Sequence, residues 1–287
     1  MKSLTPVQTA ETGELTVQGT KMSKRKETAT VISQKKLTED IFSMWIRTGM
    51  ADEAVPGQFI SVYTKSEARL LPRPISICET GYEDCGSKDN GKDALRIVYR
   101  IAGEGTREFS GYKAGDTVDI LGPLGNGFPT GAAEEDSPAI LIGGGIGIPP
   151  MLELAKQLRC DKTIVAGYRN KDLFLDKELS GYGRLVIATD DGSVGTKGNV
   201  IDAIREQGVT GSVIYACGPA PMLKGVRAYA QEQGMEAYIS MEERMACGVG
   251  ACLGCVCRSV DIDDHSGVRN KRICKDGPVF RASEVEL

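Results

Sequence analysis

Four cysteines near the end of the chain have a spacing that suits an iron–sulfur cluster. Cys247, Cys252 and Cys255 follow the pattern C-x4-C-x2-C, and Cys274 comes later in the segment NKRICKDGPVF. Plant-type [2Fe–2S] sites use this spacing, with a distant fourth cysteine that completes the ligand set. The glycines between the first two cysteines allow the backbone to wrap a cluster and to donate N–H groups to its sulfur atoms. The pattern therefore predicts a [2Fe–2S] cluster held by these four cysteines.

Zinc and disulfide chemistry are the alternatives for such a group of cysteines. Zinc sites more often use two paired C-x2–4-C motifs, and here the second C-x2-C pair is missing. A disulfide scaffold is typical of exported chains, whereas the N-terminal segment lacks the apolar core of a signal peptide, so the 9 cysteines are expected to be reduced. Cys257 lies outside the spacing pattern and is expected to point away from the cluster. His265, the single histidine, is expected to be a solvated loop residue.

Glycine-rich turns earlier in the chain predict a nucleotide site. In ILIGGGIGIPPMLE, an apolar strand ends in glycines and a helix begins, so bare backbone N–H groups and a helix dipole would meet a pyrophosphate. YACGPAPMLKGV repeats this strand–turn–helix pattern, and ATDDGSVGTKG adds a third loop at the same sheet edge. The string is not G-x-G-x-x-G, so a turn without a ligand, with Cys217 as a core residue, is the alternative. Asp190 and Asp191 follow a strand and would repel a 2′-phosphate, which favours NAD over NADP.

Two further segments, LPRPISI and IVYRIAGEGT, carry groups suited to a phosphate and a planar ring. Arg73 offers a fork of donors for phosphate, and Ser76 offers a hydroxyl. Pro74 within a strand requires an edge or a bulge. Tyr99 could stack on a planar ring or lie in the core of its domain, and the two arginines, Arg73 and Arg100, could equally be surface charges.

The elements that must position these residues divide the chain into four parts. Residues 1–26 are polar and unpatterned, and we expect a disordered extension with Met22 as an alternative start. Six short strands with turn signals between 27 and 132 predict an antiparallel β-barrel or sandwich, with a polar loop at 83–93. Strands alternate with helices from 137 to 241, which predicts a doubly wound parallel sheet. Residues 242–287 would form a small cysteine-rich module, so the predicted fold class is α/β plus all-β.

Composition excludes some classes of function. A chain of 287 residues suits two compact domains plus an appendage. The net charge of −4 gives no support to binding of nucleic acid or of an anionic membrane surface. The apolar runs are too short for a transmembrane span.

The motifs, in their order along the chain, resemble those of the ferredoxin-NADP reductase superfamily. R-P-I-S in the barrel comes first, followed by G-G-G-I-G-I-P-P and C-G-P in the nucleotide domain. The resemblance implies that the barrel binds FAD and that the second domain binds a nicotinamide dinucleotide as substrate. The implied FAD-binding residues are Arg73, Pro74, Ile75, Ser76, Val98, Tyr99, Arg100, Gly105 and Thr106. The implied NAD-binding residues are Gly143, Gly144, Gly145, Gly147, Cys217, Gly218 and Pro219.

The C-terminal part narrows this resemblance. C-x4-C-x2-C followed by C-x-D-G-P-V-F is similar to the electron-transfer subunits of NAD-linked dihydroorotate dehydrogenases, over residues 27–285. The resemblance implies that NAD exchanges a hydride with FAD, and that single electrons pass through the [2Fe–2S] cluster to an FMN-containing catalytic subunit. That partner would oxidise dihydroorotate to orotate in pyrimidine biosynthesis, in a cytoplasmic heterotetramer with two copies of each subunit.

Two other functions remain as alternatives at this point. The flavin and iron–sulfur subunit of an electron-bifurcating transhydrogenase or soluble hydrogenase would share the same parts. Some of those relatives have an aspartate as the first cluster ligand, so Cys247 favours the dihydroorotate hypothesis. A zinc-containing binding module with a degenerate flavin fold is the second alternative, and the intact R-P-I-S and G-E-G-T segments argue against it.

Overall fold

The computed structural model describes residues 24–66, 68–81, 92–133, 136–262 and 267–287. The expectations for residues 1–23, which include Met22, for the polar loop at 83–91 and for His265 lie outside the described residues. No helix in these ranges is long and apolar enough to cross a membrane.

The first part of the chain forms a closed, six-stranded antiparallel barrel. Its elements are β1 (Arg25–Lys36), β2 (Ile41–Arg47), α1 (Met50–Glu53), β3 (Phe59–Val62), β4 (Arg73–Gly81), β5 (Ala94–Arg100), α2 (Glu104–Phe109) and β6 (Thr117–Leu124). The strand order is β1-β2-β5-β4-β3-β6, and the six segments that the sequence predicts as strands are all present. Since β1 begins at Arg25, residues 25 and 26 belong to the barrel and not to the expected extension.

The middle of the chain forms a doubly wound sheet, as predicted. Its elements are β7 (Ala139–Gly144), α3 (Pro150–Gln157), β8 (Lys162–Tyr168), α4 (Asp176–Leu179), β9 (Arg184–Thr189), β10 (Thr196–Lys197), α5 (Val200–Glu206), β11 (Val213–Cys217), α6 (Ala220–Gln233) and β12 (Glu236–Ser240). These strands are parallel, in the order β10-β9-β8-β7-β11-β12. Helices α3 and α4 pack in one buried cluster and α5 and α6 in another, because the two faces of a parallel sheet are both covered. The strand order reverses between β7 and β11, where open α/β sheets bind their ligands.

The C-terminal segment returns to this sheet. After the cysteine-rich loop come β13 (Val256–Arg258), β14 (Asn270–Arg272) and β15 (Val279–Arg281). β13 and β14 form a two-stranded ribbon, whereas β15 pairs antiparallel with β12 and becomes the seventh strand of the nucleotide sheet. The expected separate module at 242–287 therefore differs from the structure at its end, because the edge of β12 offers main-chain hydrogen bonds to the returning chain. The cysteine loop is thus anchored to the sheet on both sides.

Buried charges hold the barrel against the nucleotide domain. Glu153 on α3 is almost fully buried and accepts hydrogen bonds from the backbone N–H and the hydroxyl of Thr80 on β4, at 3.0 and 2.9 Å. Burial acts to raise the pKa of Glu153, but these hydrogen bonds and the nearby Lys92 hold that pKa below its usual value. Arg96 on β5 forms ion pairs with Glu79 and with Glu178 of α4. These contacts fix the position of one domain relative to the other.

Candidate redox site

A gap between two barrel strands forms the first cavity of the site. Pairing between β4 and β5 starts at Ile77, so the segment from Arg73 to Ser76 pairs with β3 while the end of β5 pairs with β2. Pro74 therefore lies at an open edge, where its missing N–H costs nothing. The two strand ends line a cavity of about 720 Å³. Of the nine predicted FAD-binding residues, eight line this cavity: Arg73, Pro74, Ile75, Ser76, Val98, Tyr99, Arg100 and Thr106.

Arg73 and the first turn of α2 form a cradle suited to a phosphate group at one end of the cavity. A Cβ atom at Gly105 would lie 2.5 Å from Arg73 Nε, so the guanidinium packs directly on bare backbone. Thr106 Oγ1 accepts hydrogen bonds from the N–H groups of Ala102 and Gly103, at 2.9 and 3.2 Å, which fixes this turn. Gly105 does not line the cavity itself but allows Arg73 to reach its position, and the cradle fits the phosphate portion of a dinucleotide cofactor.

Tyr99 corrects one expectation. Side chains alternate along β5, and the Tyr99 ring faces the barrel interior, where it packs against Phe42 and Phe109. Its hydroxyl oxygen accepts a hydrogen bond from Gln34 Nε2 at 3.0 Å, and burial raises the pKa of the phenol above its usual value. The ring therefore cannot stack on a flavin, since this face of the strand points into the core. Val98 points outwards but is buried against the nucleotide domain.

A second cavity of about 640 Å³ lies at the carboxyl ends of the parallel strands. Four of the predicted NAD-binding residues line it, namely Gly144, Gly145, Gly218 and Pro219. Asp190, Arg169 and Asn170 line it as well. Backbone N–H groups after β7 and β11 and the start of α6 come together here, which suits a pyrophosphate.

The other three predicted NAD-binding residues shape the turn and do not line the cavity. A Cβ atom at Gly143 would lie 2.7 Å from Ile148 Cα, and one at Gly147 would collide with the carbonyl of Cys217. Cys217 is fully buried, and burial raises the pKa of its thiol. These residues therefore pack the β7 turn closely on the end of β11, and their contact with a dinucleotide stays a prediction.

Glu242 and Arg100 lie where the two cavities meet. Arg100, Ile146 and Glu242 line both cavities. Arg100 Nε is 3.3 Å from Asp40 Oδ2 in an ion pair but makes no hydrogen bond within the described residues. The protein atoms that line the cleft raise the pKa of Glu242, although its side chain is exposed to the cavities and the charge of Arg100 acts to lower that pKa. The sequence interpretation missed Glu242 and Asp40; the position of Glu242 just after β12, at the carboxyl edge of the sheet, was the available signal.

The four predicted cluster ligands form two pairs. Cys247 Sγ accepts hydrogen bonds from the N–H groups of Val249, Ala251 and Cys252 at 3.3–3.4 Å. Burial acts to raise the pKa of the Cys247 thiol, but these hydrogen bonds lower that pKa to about 6. Cys255 Sγ accepts a hydrogen bond from the N–H of Cys274 at 3.4 Å. The pKa of Cys274 is raised to about 12, both because the thiol is buried and because Cys255 lies close to it.

The two pairs of cysteines provide a donor set that fits a [2Fe–2S] cluster. Two pairs of thiols with several N–H donors are what a [2Fe–2S] cluster with four cysteine ligands requires. Cys257 lies on β13 and packs, half-buried, against the core of the nucleotide domain.

Phe59 connects the flavin cavity to the cysteines. It lines the barrel cavity and belongs to the same buried cluster as Cys255 and Cys274. Met245 and Pro278, which flank the cysteine loop in the sequence, also line the barrel cavity. The dinucleotide cavity, the barrel cavity and the cysteines therefore follow one another in space, each sharing a wall with the next.

Comparison with known proteins places these features in context. The family model described as "Iron-sulfur cluster binding domain of dihydroorotate dehydrogenase B" matches residues 242–286. The model described as "Oxidoreductase NAD-binding domain" matches residues 141–228. "Dihydroorotate dehydrogenase B (NAD(+)), electron transfer subunit" of Geobacillus sp. (strain WCH70) is 42% identical over 269 residues, which are 92% of this chain and 99% of the relative. The protein of the same name from Streptococcus mutans serotype c is 42% identical over 267 residues, covering 91% of this chain and 98% of the relative.

Solved structures give the same fold. An NADH-dependent reduced ferredoxin-NADP oxidoreductase, studied for flavin-based electron bifurcation, is 31% identical with a TM-score of 0.77 and covers 90% of this chain and 89% of its own. A ferredoxin NADP+ reductase from Neisseria gonorrhoeae with bound FAD and NADP is 18% identical with a TM-score of 0.61, covering 77% and 95% of the two chains. At that identity, the second likeness shows the fold alone.

Proposed function

This chain belongs to the family of electron transfer subunits of dihydroorotate dehydrogenase B (NAD(+)), and from that premise we propose that it carries electrons from a dihydroorotate-oxidising subunit to NAD+. The observation that carries the proposal is the order of the three sites. The dinucleotide and barrel cavities share Arg100, Ile146 and Glu242, and the barrel cavity shares Phe59 with the buried cysteines. A carrier between a two-electron and a one-electron centre needs this arrangement.

The residues of the barrel would hold FAD. Arg73, packed on the bare backbone of Gly105, supplies a fixed positive charge for a phosphate. The main chain of β4 and β5, left open where these strands separate, supports the proposal that the flavin ring system is held by backbone donors and by Ser76. When bound, FAD supplies the exchange between hydride transfer and single-electron transfer.

The nucleotide domain would hold NAD(H). Gly144, Gly145 and Gly218 provide backbone N–H groups without a Cβ to keep the pyrophosphate away. Glu242 and Arg100, which line both cavities, would border the nicotinamide. The thiolates of Cys247, Cys252, Cys255 and Cys274 would hold the [2Fe–2S] cluster, and the N–H groups around Cys247 stabilise its negative charge.

An electron transfer subunit acts with a catalytic partner subunit. We propose that this partner contains FMN, that the complex is a heterotetramer with two copies of each subunit, and that it acts in the cytoplasm in pyrimidine biosynthesis. The surface beside the cluster ligands supports a partner there, since Cys252 is exposed and Leu253 is 63% exposed. A location that keeps thiols reduced is consistent with the four cysteine ligands. Functionally, the domains would be the barrel (27–132), the nucleotide domain (137–241) and the cluster segment (242–287).

The test is a visible spectrum of the chain purified with its natural partner, recorded before and after addition of dihydroorotate without NAD+. We expect both the flavin and the iron–sulfur absorption to bleach, because electrons enter through the partner. If NADH bleaches both but dihydroorotate bleaches neither, the substrate assignment is wrong. The flavin and iron–sulfur subunit of a bifurcating transhydrogenase or a soluble hydrogenase would then be favoured; the 31% identity to the bifurcating oxidoreductase is the observation behind that second candidate.

A further inference from the structure

The outer face of strand β3 packs against the cysteine loop. Ile60 and Val62 point into the barrel core, so the alternate residues Phe59 and Ser61 point outwards. Phe59 belongs to the same buried cluster as Cys255 and Cys274. One barrel strand thus contributes both to the flavin cavity and to the wall behind the cluster ligands.

Ser61 carries a buried hydroxyl that the site described so far does not use. The residue is fully buried, and its Oγ finds no hydrogen-bond partner among the residues that the structure describes. Leaving a hydroxyl buried without a partner is unfavourable, and native proteins rarely do so. Such a group indicates that something else accepts its hydrogen bond.

The ligand loop passes close to this hydroxyl. Gly248 directly follows Cys247 and has φ of +69°, and a Cβ atom placed there would lie 3.0 Å from Ser61 Oγ. Glycine at 248 therefore lets the main chain beside a cluster ligand approach the serine.

We propose that the Ser61 hydroxyl donates a hydrogen bond to an inorganic sulfide of the [2Fe–2S] cluster on the Cys247 side, and thereby raises the reduction potential of the cluster. This inference rests on the proposed cluster at Cys247, Cys252, Cys255 and Cys274. Reduction places an additional negative charge on the iron and sulfur atoms. A hydrogen-bond donor stabilises the reduced form more than the oxidised form, so Ser61 acts as a tuning residue and not as a ligand.

The test is an EPR-monitored redox titration of the cluster in the purified complex, for the wild type and for Ser61→Ala. We expect Ser61→Ala to retain its iron and to show a more negative midpoint potential. A tenfold change in the ratio of reduced to oxidised cluster at fixed potential corresponds to about 59 mV for a one-electron couple, and we expect a shift of that order. The potential of the flavin, followed by visible absorption, should not change. An unchanged cluster potential in Ser61→Ala with full iron content would overturn the inference.

A matched pair of variants keeps the test independent of packing. Ser61→Thr and Ser61→Val have nearly the same shape and differ in the hydroxyl, so we expect the Thr variant to have the higher potential. Equal potentials for the two variants contradict the hydrogen bond even if Ser61→Ala fails to assemble. Ser43→Ala is the control, since the hydroxyl of this buried barrel serine is bonded to Arg96 and should not affect the cluster. Iron analysis and the EPR signal of the wild type test the cluster itself, so failure of the proposed function is seen separately.

Discussion

Asp190 and Asp191 are neighbours in the sequence but occupy different surroundings. Asp190 lines the dinucleotide cavity, whereas the carboxylate of Asp191 accepts a hydrogen bond from the N–H of Ser193 at 2.9 Å, and these Ser193 contacts hold the pKa of Asp191 below its usual value. We expect Asp190→Asn to raise kcat/KM for NADPH about tenfold, because the substitution removes a charge repulsion with the 2′-phosphate of about 1.4 kcal/mol. Asp191→Asn is the matched control and should keep the preference for NADH. Equal effects of the two substitutions would contradict the assignment.

Glu242 is the second residue whose role follows from its position. We expect Glu242→Gln to slow flavin reduction by NADH about tenfold, since one charged hydrogen-bond acceptor is lost at the junction of the cavities and is worth about 1.5 kcal/mol. The protein atoms of the cleft raise the pKa of Glu242, so the wild-type rate should decline as the pH falls through that raised value, while the rate of the Gln variant should not change with pH in this range. Stopped-flow absorption measures both rates. Glu206→Gln, an exposed change on α5, is the control, and a wild-type rate for Glu242→Gln would argue against the role.

At the scale of elements, sequence patterns predicted much of the fold because they depend on local alternation. The six barrel strands and the alternating strands and helices are present, and the R-P-I-S strand borders the flavin cavity. Tyr99 was ambiguous because the face of a strand that points inwards depends on register with its neighbours. The sequence did not predict β15, because its three residues form a strand only by pairing with β12, which is distant in the sequence. That Glu242 lines both cavities was also not predictable, because it depends on how the barrel packs against the nucleotide domain.

The contact between α3 and β4 gives a prediction at this scale. Glu153→Gln removes the charge that faces Lys92 and Lys156, so we expect a loss of about 3 kcal/mol in the free energy of unfolding, as for other broken buried pairs. Because the pKa of Glu153 is lowered from 4.5 in the folded protein, its contribution is present above that value and is lost as the pH falls through the folded pKa. Urea unfolding at several pH values measures this. The wild type should lose stability in acid more steeply than the variant, and parallel curves would contradict the prediction.

At the scale of the whole molecule, the arrangement separates two half-reactions. The dinucleotide and flavin cavities meet at Arg100 and Glu242, and Phe59, which lines the flavin cavity, belongs to the same buried cluster as Cys255 and Cys274. The cysteine loop is held in that place because β12 leads into it and β15 leads out of it to the same sheet. We therefore expect hydride exchange to need none of the four cysteines, and electron exchange with the partner subunit to need all of them.

Cys252→Ser tests this separation directly. We expect NADH to reduce the flavin of this variant at the wild-type rate, because the junction of the two cavities is untouched. Formation of NADH from dihydroorotate by the complex should fall to background, because the cluster that connects flavin and partner is lost or impaired. Cys257→Ser is the matched control: this cysteine lies on β13 within the same loop region but packs against the nucleotide-domain core, so both half-reactions should persist. Continued coupling of dihydroorotate to NAD+ in Cys252→Ser would mean that electrons reach the flavin by a path that does not include these cysteines.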